Sequence, residues 1–201
     1  MSSLLKYGRE DKDNNGAWYI LDHTDVEGVD FDTLVFIPND LDKSKVARIS
    51  VAERNTGSPT MKSPKNLGGE EDFFSLSLKE RGERFFPNDL THLTEVIDVE
   101  RGQNSVLVYP VIVQRTGGEY YQQLTKSSLE PNQPRGFERI DTQVLTAIAA
   151  VRDELFKGGI DSYPDVDMLG QSAAGTFSQR FALLHLDRVH LSYSNGAKDG
   201  I

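Results

Sequence analysis

The sequence predicts an α/β fold, a doubly wound and mostly parallel sheet, and three observations carry that expectation. Residues 105–113 (Ser-Val-Leu-Val-Tyr-Pro-Val-Ile-Val) form a nearly unbroken apolar run, the pattern of a strand buried on both faces of a parallel sheet. Ile140, Val144, Ile148, Val151 and Leu155 recur at spacings of four, four, three and four, which places them on one helical stripe. A short strand over 166–169 then turns through small residues at Ser172 into a second helix, and 189–193 reads as one more strand. Strands alternating with helices in this way call for right-handed crossovers between parallel neighbours.

The earlier elements are antiparallel in character. Residues 17–22 and 33–38 are rich in aromatic and β-branched side chains, and the stretch between them contains a Gly turn, so they suit an opening hairpin. Residues 46–52 alternate with period two and run into Glu53-Arg54-Asn55-Thr56-Gly57-Ser58-Pro59, a loop by composition that stays irregular to about Gly69. From 70 to 101 the pattern is weak, with a short helix expected over 89–99 behind Pro87-Asn88. Gly117, Gly118, Pro131 and Pro134 mark a polar excursion before the striped helix, which ends at Lys157 ahead of Gly158-Gly159. The second helix is expected from Ala173 to about Leu186. No internal repeat and no linker divides the chain, so residues 1–201 are expected to form a single domain.

Composition narrows the function. With 37 % hydrophobic residues the chain belongs to the globular class, and 201 residues suffice for a real core. A formal charge of −9 offers no basic footprint for nucleic acid and would repel anionic membranes. The absence of Cys removes disulfides, thiolate nucleophiles and sulfur-ligated metal centres, and the four His show no metal-ligand spacing, so no metal and no cofactor is expected. The first residues contain only a two-residue apolar run, Leu4-Leu5, and nothing later approaches a membrane span; a cytosolic protein is expected.

The chemistry concentrates at Gly170-Gln171-Ser172-Ala173-Ala174-Gly175. A Gly ends a strand, a Ser occupies the tight turn, and small residues follow where a helix must pass close to the sheet. That arrangement suits a nucleophile elbow, which holds its serine in a strained backbone state with the hydroxyl presented outward. The plainer reading is a serine N-cap on the following helix.

Residues 170–189, with Arg180-Phe181-Ala182, Leu184-His185-Leu186 and Arg188-Val189, resemble the elbow and following helix of α/β-hydrolases, in particular a bacterial esterase or depolymerase-like group. Glu53 to Gly57 after a strand, Tyr109-Pro110-Val111 with a trailing Arg115, and Arg139 to Gln143 are similar as well. The resemblance spans about 31–201 and implies an incomplete hydrolase fold, with about six of eight strands and Ser172 after the fifth. It implies Ser172 as nucleophile, the N–H of Ala173 as one oxyanion donor, and a second donor from Asn55, Thr56 or Gly57. It also implies a small-molecule ester as substrate. Residues 173–201, 29 in all (201 − 172), are too few for the two further strands that carry the acid and histidine in that family. The expected state is therefore a serine esterase that is inactive or weak as this chain, with self-association through an exposed sheet edge.

His185 lies thirteen residues along a helix from Ser172, His190 sits at the wrong end of a strand, and His92 with Asp98 would require a chain order found in an unrelated all-β fold. All four histidines, His23 included, are expected to be solvated or to form caps. Asp11-Lys12-Asp13-Asn14-Asn15-Gly16, with Asp22 at the twelfth position, matches most of a calcium-loop pattern, against the simpler reading of a solvated turn. Asp161, Asp165 and Asp167 are expected to be solvated. The rival to the hydrolase is a non-catalytic binding or structural domain that retains the hydrolase sheet.

Overall fold

The computed structural model describes residues 4–52, 77–85, 102–112, 124, 129 and 138–195. Its elements are β1 (Leu5–Asp11), β2 (Gly16–Leu21), β3 (Thr33–Pro38), β4 (Arg48–Ala52), α1 (Leu78–Phe85), β5 (Ser105–Pro110), α2 (Ile140–Lys157), β6 (Val166–Gln171), α3 (Ala173–Leu184) and β7 (Val189–Asn195). The strands form one seven-stranded sheet in the order β1-β2-β3-β5-β4-β6-β7. The first three are an antiparallel meander joined antiparallel to β5, while β5, β4, β6 and β7 run parallel. The expected opening hairpin is β2–β3, and β1 is an additional strand outside it. The helix expected over 89–99 lies outside the described residues.

Period-two alternation sorts the central strands between two faces. Val35, Ile37, Ile49, Val51, Val106, Val108, Val166 and Met168 share one core with Val144, Ile148, Val151, Phe177 and Phe181, so α2 and α3 cover the same face. Leu34, Phe36, Leu107 and Tyr109 point the other way and are also buried. Burial on both faces is what an unbroken apolar run such as 105–113 requires. All five stripe residues of α2 are at most 1 % exposed. At roughly 1.5–3 kcal/mol for each large side chain removed from water, this helix–sheet layer is the main cohesive force around β6. Gly159, at φ 77°, ends α2 as its sequence leads one to expect. No helix among the described residues is long and apolar enough to cross a membrane.

Strand direction decides which loops share a rim. β4, β5 and β6 end on one rim, where Ala52 pairs with Leu169 and Pro110 pairs with Thr33 at the start of β3. β2 also ends there, at Leu21 opposite Thr33.

Candidate active site

Ser172 stands on this rim, between the last residue of β6 and the first of α3, and is partly exposed. Its backbone has φ 57° and ψ −119°, a region outside left-handed helix that costs a non-glycine residue on the order of 1–3 kcal/mol. The side chain makes no capping hydrogen bond to α3, which removes the plain N-cap reading. The strain is held by its surroundings. Ser172 N–H donates to the Asn195 carbonyl at 2.7 Å, tying the turn to the end of β7, and its own carbonyl accepts from Thr176 N–H at 3.3 Å.

Small residues make the turn possible. A Cβ on Gly170 would overlap the Ala174 backbone and lie 2.6 Å from the Ser178 hydroxyl, so only glycine lets α3 pass this close to β6. Ala174 and Gly175 are buried against the strand. The Ser178 hydroxyl donates to the Ala174 carbonyl at 3.0 Å and is thereby satisfied within α3. Ala173, whose N–H is the first expected oxyanion donor, follows Ser172 at the open start of the helix, where backbone N–H groups lack intrahelical partners. Asn55, Thr56 and Gly57 lie outside the described residues. The strand leading to them ends at Ala52, beside β6 on the Ser172 rim.

The described histidines each lie against a carboxylate; His190 is solvent-exposed and His185 caps a helix as expected, and the added carboxylate partners are what the sequence did not show. His185 is the C-cap of α3, and its Nε2 lies 3.0 Å from the buried Asp141 Oδ2. Arg139 donates to both Asp141 oxygens at 3.0 and 2.9 Å. Burial acts to raise the Asp141 carboxyl, but hydrogen bonding and the charge of Arg139 with the His185 bond outweigh it and leave the pKa below its ordinary value. His190 is on the opposite rim, with Nδ1 2.9 Å from Asp167 Oδ1. His23 is on the Ser172 rim but binds Asp32 at 2.7 Å, and β3 is three strands from β6, about 14 Å at the usual strand spacing. His92 lies outside the described residues. Asp165 and Asp167, expected to be solvated, are likewise paired: Asp165 accepts from Arg48 at 2.8 Å.

A buried ionic group was not legible in the sequence. Arg81 of α1 donates to both oxygens of Asp32 at 2.6 Å and to Asp22 at 3.1 Å, fastening α1 to the ends of β2 and β3. Burial tends to raise the Asp22 carboxyl, and the Thr24 N–H and hydroxyl together with Arg81 bring it below its ordinary value instead. Ligand atoms of Asp22, His23 and Asp32 lie within 4.8 Å of one another, a spacing a metal ion could use. The Arg81 guanidinium already supplies the positive charge at that point, so the residues do not favour a cation.

The calcium-loop pattern does not form. Asp11 and Asp22 sit at opposite ends of β2, and both Asp11 oxygens accept N–H bonds, from the Asn14 backbone (3.1 Å), its side chain (2.8 Å) and Trp18 Nε1 (3.0 Å). On the rim opposite Ser172 a cavity of about 260 Å³ opens above Phe36 and Leu107, walled by a turn that Asn104 holds through Asp42.

No protein-family model and no curated protein sequence matches this chain. Solved structures do. Poly(aspartic acid) hydrolase-1 from Sphingomonas sp. KT-1 superposes with a TM-score of 0.50 at 15 % identity, over 90 % of this chain and 55 % of that one. The ferulic acid esterase Fae1A from Anaeromyces mucronatus gives 0.47 at 11 % identity, over 96 % of this chain and 60 % of that one. An S-formylglutathione hydrolase from Agrobacterium tumefaciens gives 0.45 at 10 %, with the same coverage of 96 % and 60 %. The chain thus spans between 55 % and 60 % of the length of these three proteins. The mixed seven-stranded sheet with its helices agrees with that likeness, and the chain has an incomplete α/β-hydrolase-like fold.

Proposed function

We propose that the chain carries the nucleophile of a serine hydrolase acting on small carboxylic esters, with Ser172 as that nucleophile. The observation that carries the reading is the Ser172 backbone at φ 57° and ψ −119°, retained with no capping bond to justify it. In this reading the Ser172 hydroxyl oxygen attacks the ester carbonyl carbon and its proton passes to a base. Negative charge then develops on the carbonyl oxygen, which the N–H of Ala173 and an N–H of Asn55, Thr56 or Gly57 stabilise. Loss of one such donor typically costs about 3 kcal/mol of transition-state stabilisation. The tetrahedral intermediate collapses by expelling the alcohol, and water releases the acid from the acyl-enzyme. No metal or organic cofactor is required, and the proposed site of action is the cytosol.

A serine hydroxyl is a weak nucleophile without a base within hydrogen-bond reach, and the described histidines are bound elsewhere. The chain alone is therefore expected to turn over p-nitrophenyl acetate at no more than about 10³ to 10⁴ over the uncatalysed rate. The test is labelling with a fluorophosphonate, followed by peptide mass spectrometry. Slow labelling confined to Ser172 and lost in Ser172→Ala is the expected result. Absence of labelling at Ser172 in a folded sample would discard the nucleophile and favour a non-catalytic domain. Rapid turnover lost in Ser172→Ala would instead reveal a base, with His92 the first residue to change.

A further inference from the structure

The cavity on the rim opposite Ser172 takes no part in the proposed chemistry, and neither end of the described sheet lies beside it. Leu5, at the start of β1, pairs with Leu21, and Asn195, at the end of β7, pairs with Gln171, so both stand on the Ser172 rim. The cavity opens over β3 and β5, with β4 and β6 between them and β7.

Its floor is a cross-strand pair, Phe36 of β3 beside Leu107 of β5, on the face turned away from α2 and α3. The Phe36 ring is fixed in place. A Cβ on Gly16 of β2 would overlap it, and the Trp18 ring packs against it with centroids 5.0 Å apart. One wall is fixed as well: Asn104 accepts from the Asp42 N–H at 2.8 Å and donates to the Asp42 and Lys45 carbonyls at 3.2 and 3.4 Å.

Above this floor stand polar groups that the fold leaves unused. Asn14 and Ser105 line the cavity at 8 % and 3 % exposure. The Asn14 amide nitrogen donates to Asp11, but its oxygen and the Ser105 hydroxyl have no hydrogen-bond partner among the described residues. Asp40 and Gln103, which also line the cavity, are exposed and likewise unpaired among the described residues.

These groups select the ligand. Lys45 is the one cation among the described lining residues, and its ammonium is bonded to Asp42 at 3.0 Å, so no free positive charge awaits a phosphate or carboxylate. Asp40 is a single exposed carboxylate and would hold an organic cation weakly. A wholly apolar guest would strip water from Asn14 and Ser105 without replacing its hydrogen bonds. A small neutral ring with C–H groups on its face and hydroxyls around its edge satisfies both layers. Hydroxyls donate and accept, so they can meet an amide oxygen, a hydroxyl and a carboxylate alike. The volume of about 260 Å³ equals that of about nine waters at roughly 30 Å³ each, just below the range for drug-sized ligands, and takes one such ring.

We propose that this cavity binds a single pyranose sugar ring, with its apolar face on Phe36 and Leu107 and its hydroxyls on Asn14, Ser105, Asp40 and Gln103. The site stands whether or not Ser172 is a nucleophile.

Titration of the isotope-labelled chain with D-glucose, D-galactose and D-xylose, followed by amide NMR, tests the proposal. The expected result is saturable shifts confined to residues 14–16, 38–45 and 102–107 for at least one sugar, with a Kd of about 1 to 10 mM, and none with inorganic phosphate or tetramethylammonium. Ser105→Ala removes an unpartnered hydroxyl, so it should leave circular dichroism and the denaturation midpoint unchanged while weakening the sugar about fivefold; Gln103→Ala should weaken it by a similar factor. The methyl glycosides of the sugar that binds separate two sources: retained binding identifies the terminal unit of a glycan, and lost binding a free monosaccharide. No saturable shift with any of the three sugars up to about 100 mM would overturn the assignment. So would shifts that fall on the Ser172 rim instead, binding indifferent to both substitutions, or saturation of this cavity by phosphate or tetramethylammonium.

Discussion

Two helices of this molecule begin at residues with positive φ, and they hold that conformation by different means. Arg139 before α2 has φ 46° and ψ 51°, the left-handed well, and Ser172 before α3 has φ 57° and ψ −119°, outside it. Neither side chain caps its helix. Arg139 uses its side chain nonetheless, bonding both oxygens of the buried Asp141 two residues on. Ser172 has no such return within its own helix, and the packing of β6, α3 and β7 around it holds the strain. A strained residue whose side chain offsets the cost locally is a structural device. One held open by its neighbours, with a hydroxyl that makes no capping bond to its helix, carries its strain without local return.

The sharpest way to break that contrast is to remove the space that the serine turn needs. Gly170→Ala puts a methyl group into the Ala174 backbone and is expected to cost about 3 kcal/mol in chemical denaturation, at the upper end of overpacking effects. An unchanged midpoint would mean that α3 can stand off from β6. Next in size is the support of the other turn. Asp141→Asn leaves Arg139 and His185 facing a neutral amide and is expected to cost about 2 kcal/mol at neutral pH. Since the folded Asp141 carboxyl titrates below its ordinary value of 3.8, its contribution is complete above that value and is lost as pH falls through the lower folded pKa. The pH dependence of stability below about 4 is therefore expected to flatten in Asp141→Asn. An acid limb identical to that of the parent would remove Asp141 from this account.

The smallest effects are the most specific, because they differ in sign. Ser172→Gly relieves the strain and is expected to stabilise by about 1 kcal/mol while losing fluorophosphonate reactivity. Ser172→Ala keeps the strain and should lie within about 0.5 kcal/mol of the parent. Arg139→Gly relieves a similar strain but strands Asp141, and a net loss of about 1 kcal/mol is expected. If both glycine variants stabilise, the two turns do not differ in the way described.

What the sequence made legible follows from how locally each element is encoded. The α2 stripe, the 105–113 run and the small residues around Ser172 all announce themselves within a few positions; the stripe and the small residues stand where expected, and of the run Ser105–Pro110 form the strand. β1 escaped because Leu5-Lys6-Tyr7-Gly8-Arg9-Glu10-Asp11 is a charged edge strand with only partial burial, so it lacks a core-facing alternation. α1 escaped behind its polar composition, although Ser77 and Glu80 form a capping box that the sequence displays: Ser77 N–H donates to Glu80 at 2.8 Å and Glu80 N–H to the Ser77 hydroxyl at 3.3 Å. The Arg81 network unites residues 49 and 59 positions apart, and the Asp141–His185 pair spans 44. No periodicity encodes such contacts. The calcium-loop pattern misled for a related reason: Asp11 and Asp22 have the right separation along the chain, but an extended strand places them at opposite ends of the sheet.

The bond from Ser172 N–H to the Asn195 carbonyl has a consequence for the order of assembly during synthesis. The acceptor that fixes the turn is made 23 residues after the serine itself (195 − 172). A ribosome adding roughly 5–20 residues per second delivers it a second or more later, and its exit tunnel delays it further. Until then α3 has no β7 to pack against and Ser172 can relax into an ordinary backbone conformation. The nascent chain thus carries the Ser172 turn in an unset form, and the turn is fixed only once Asn195 has emerged.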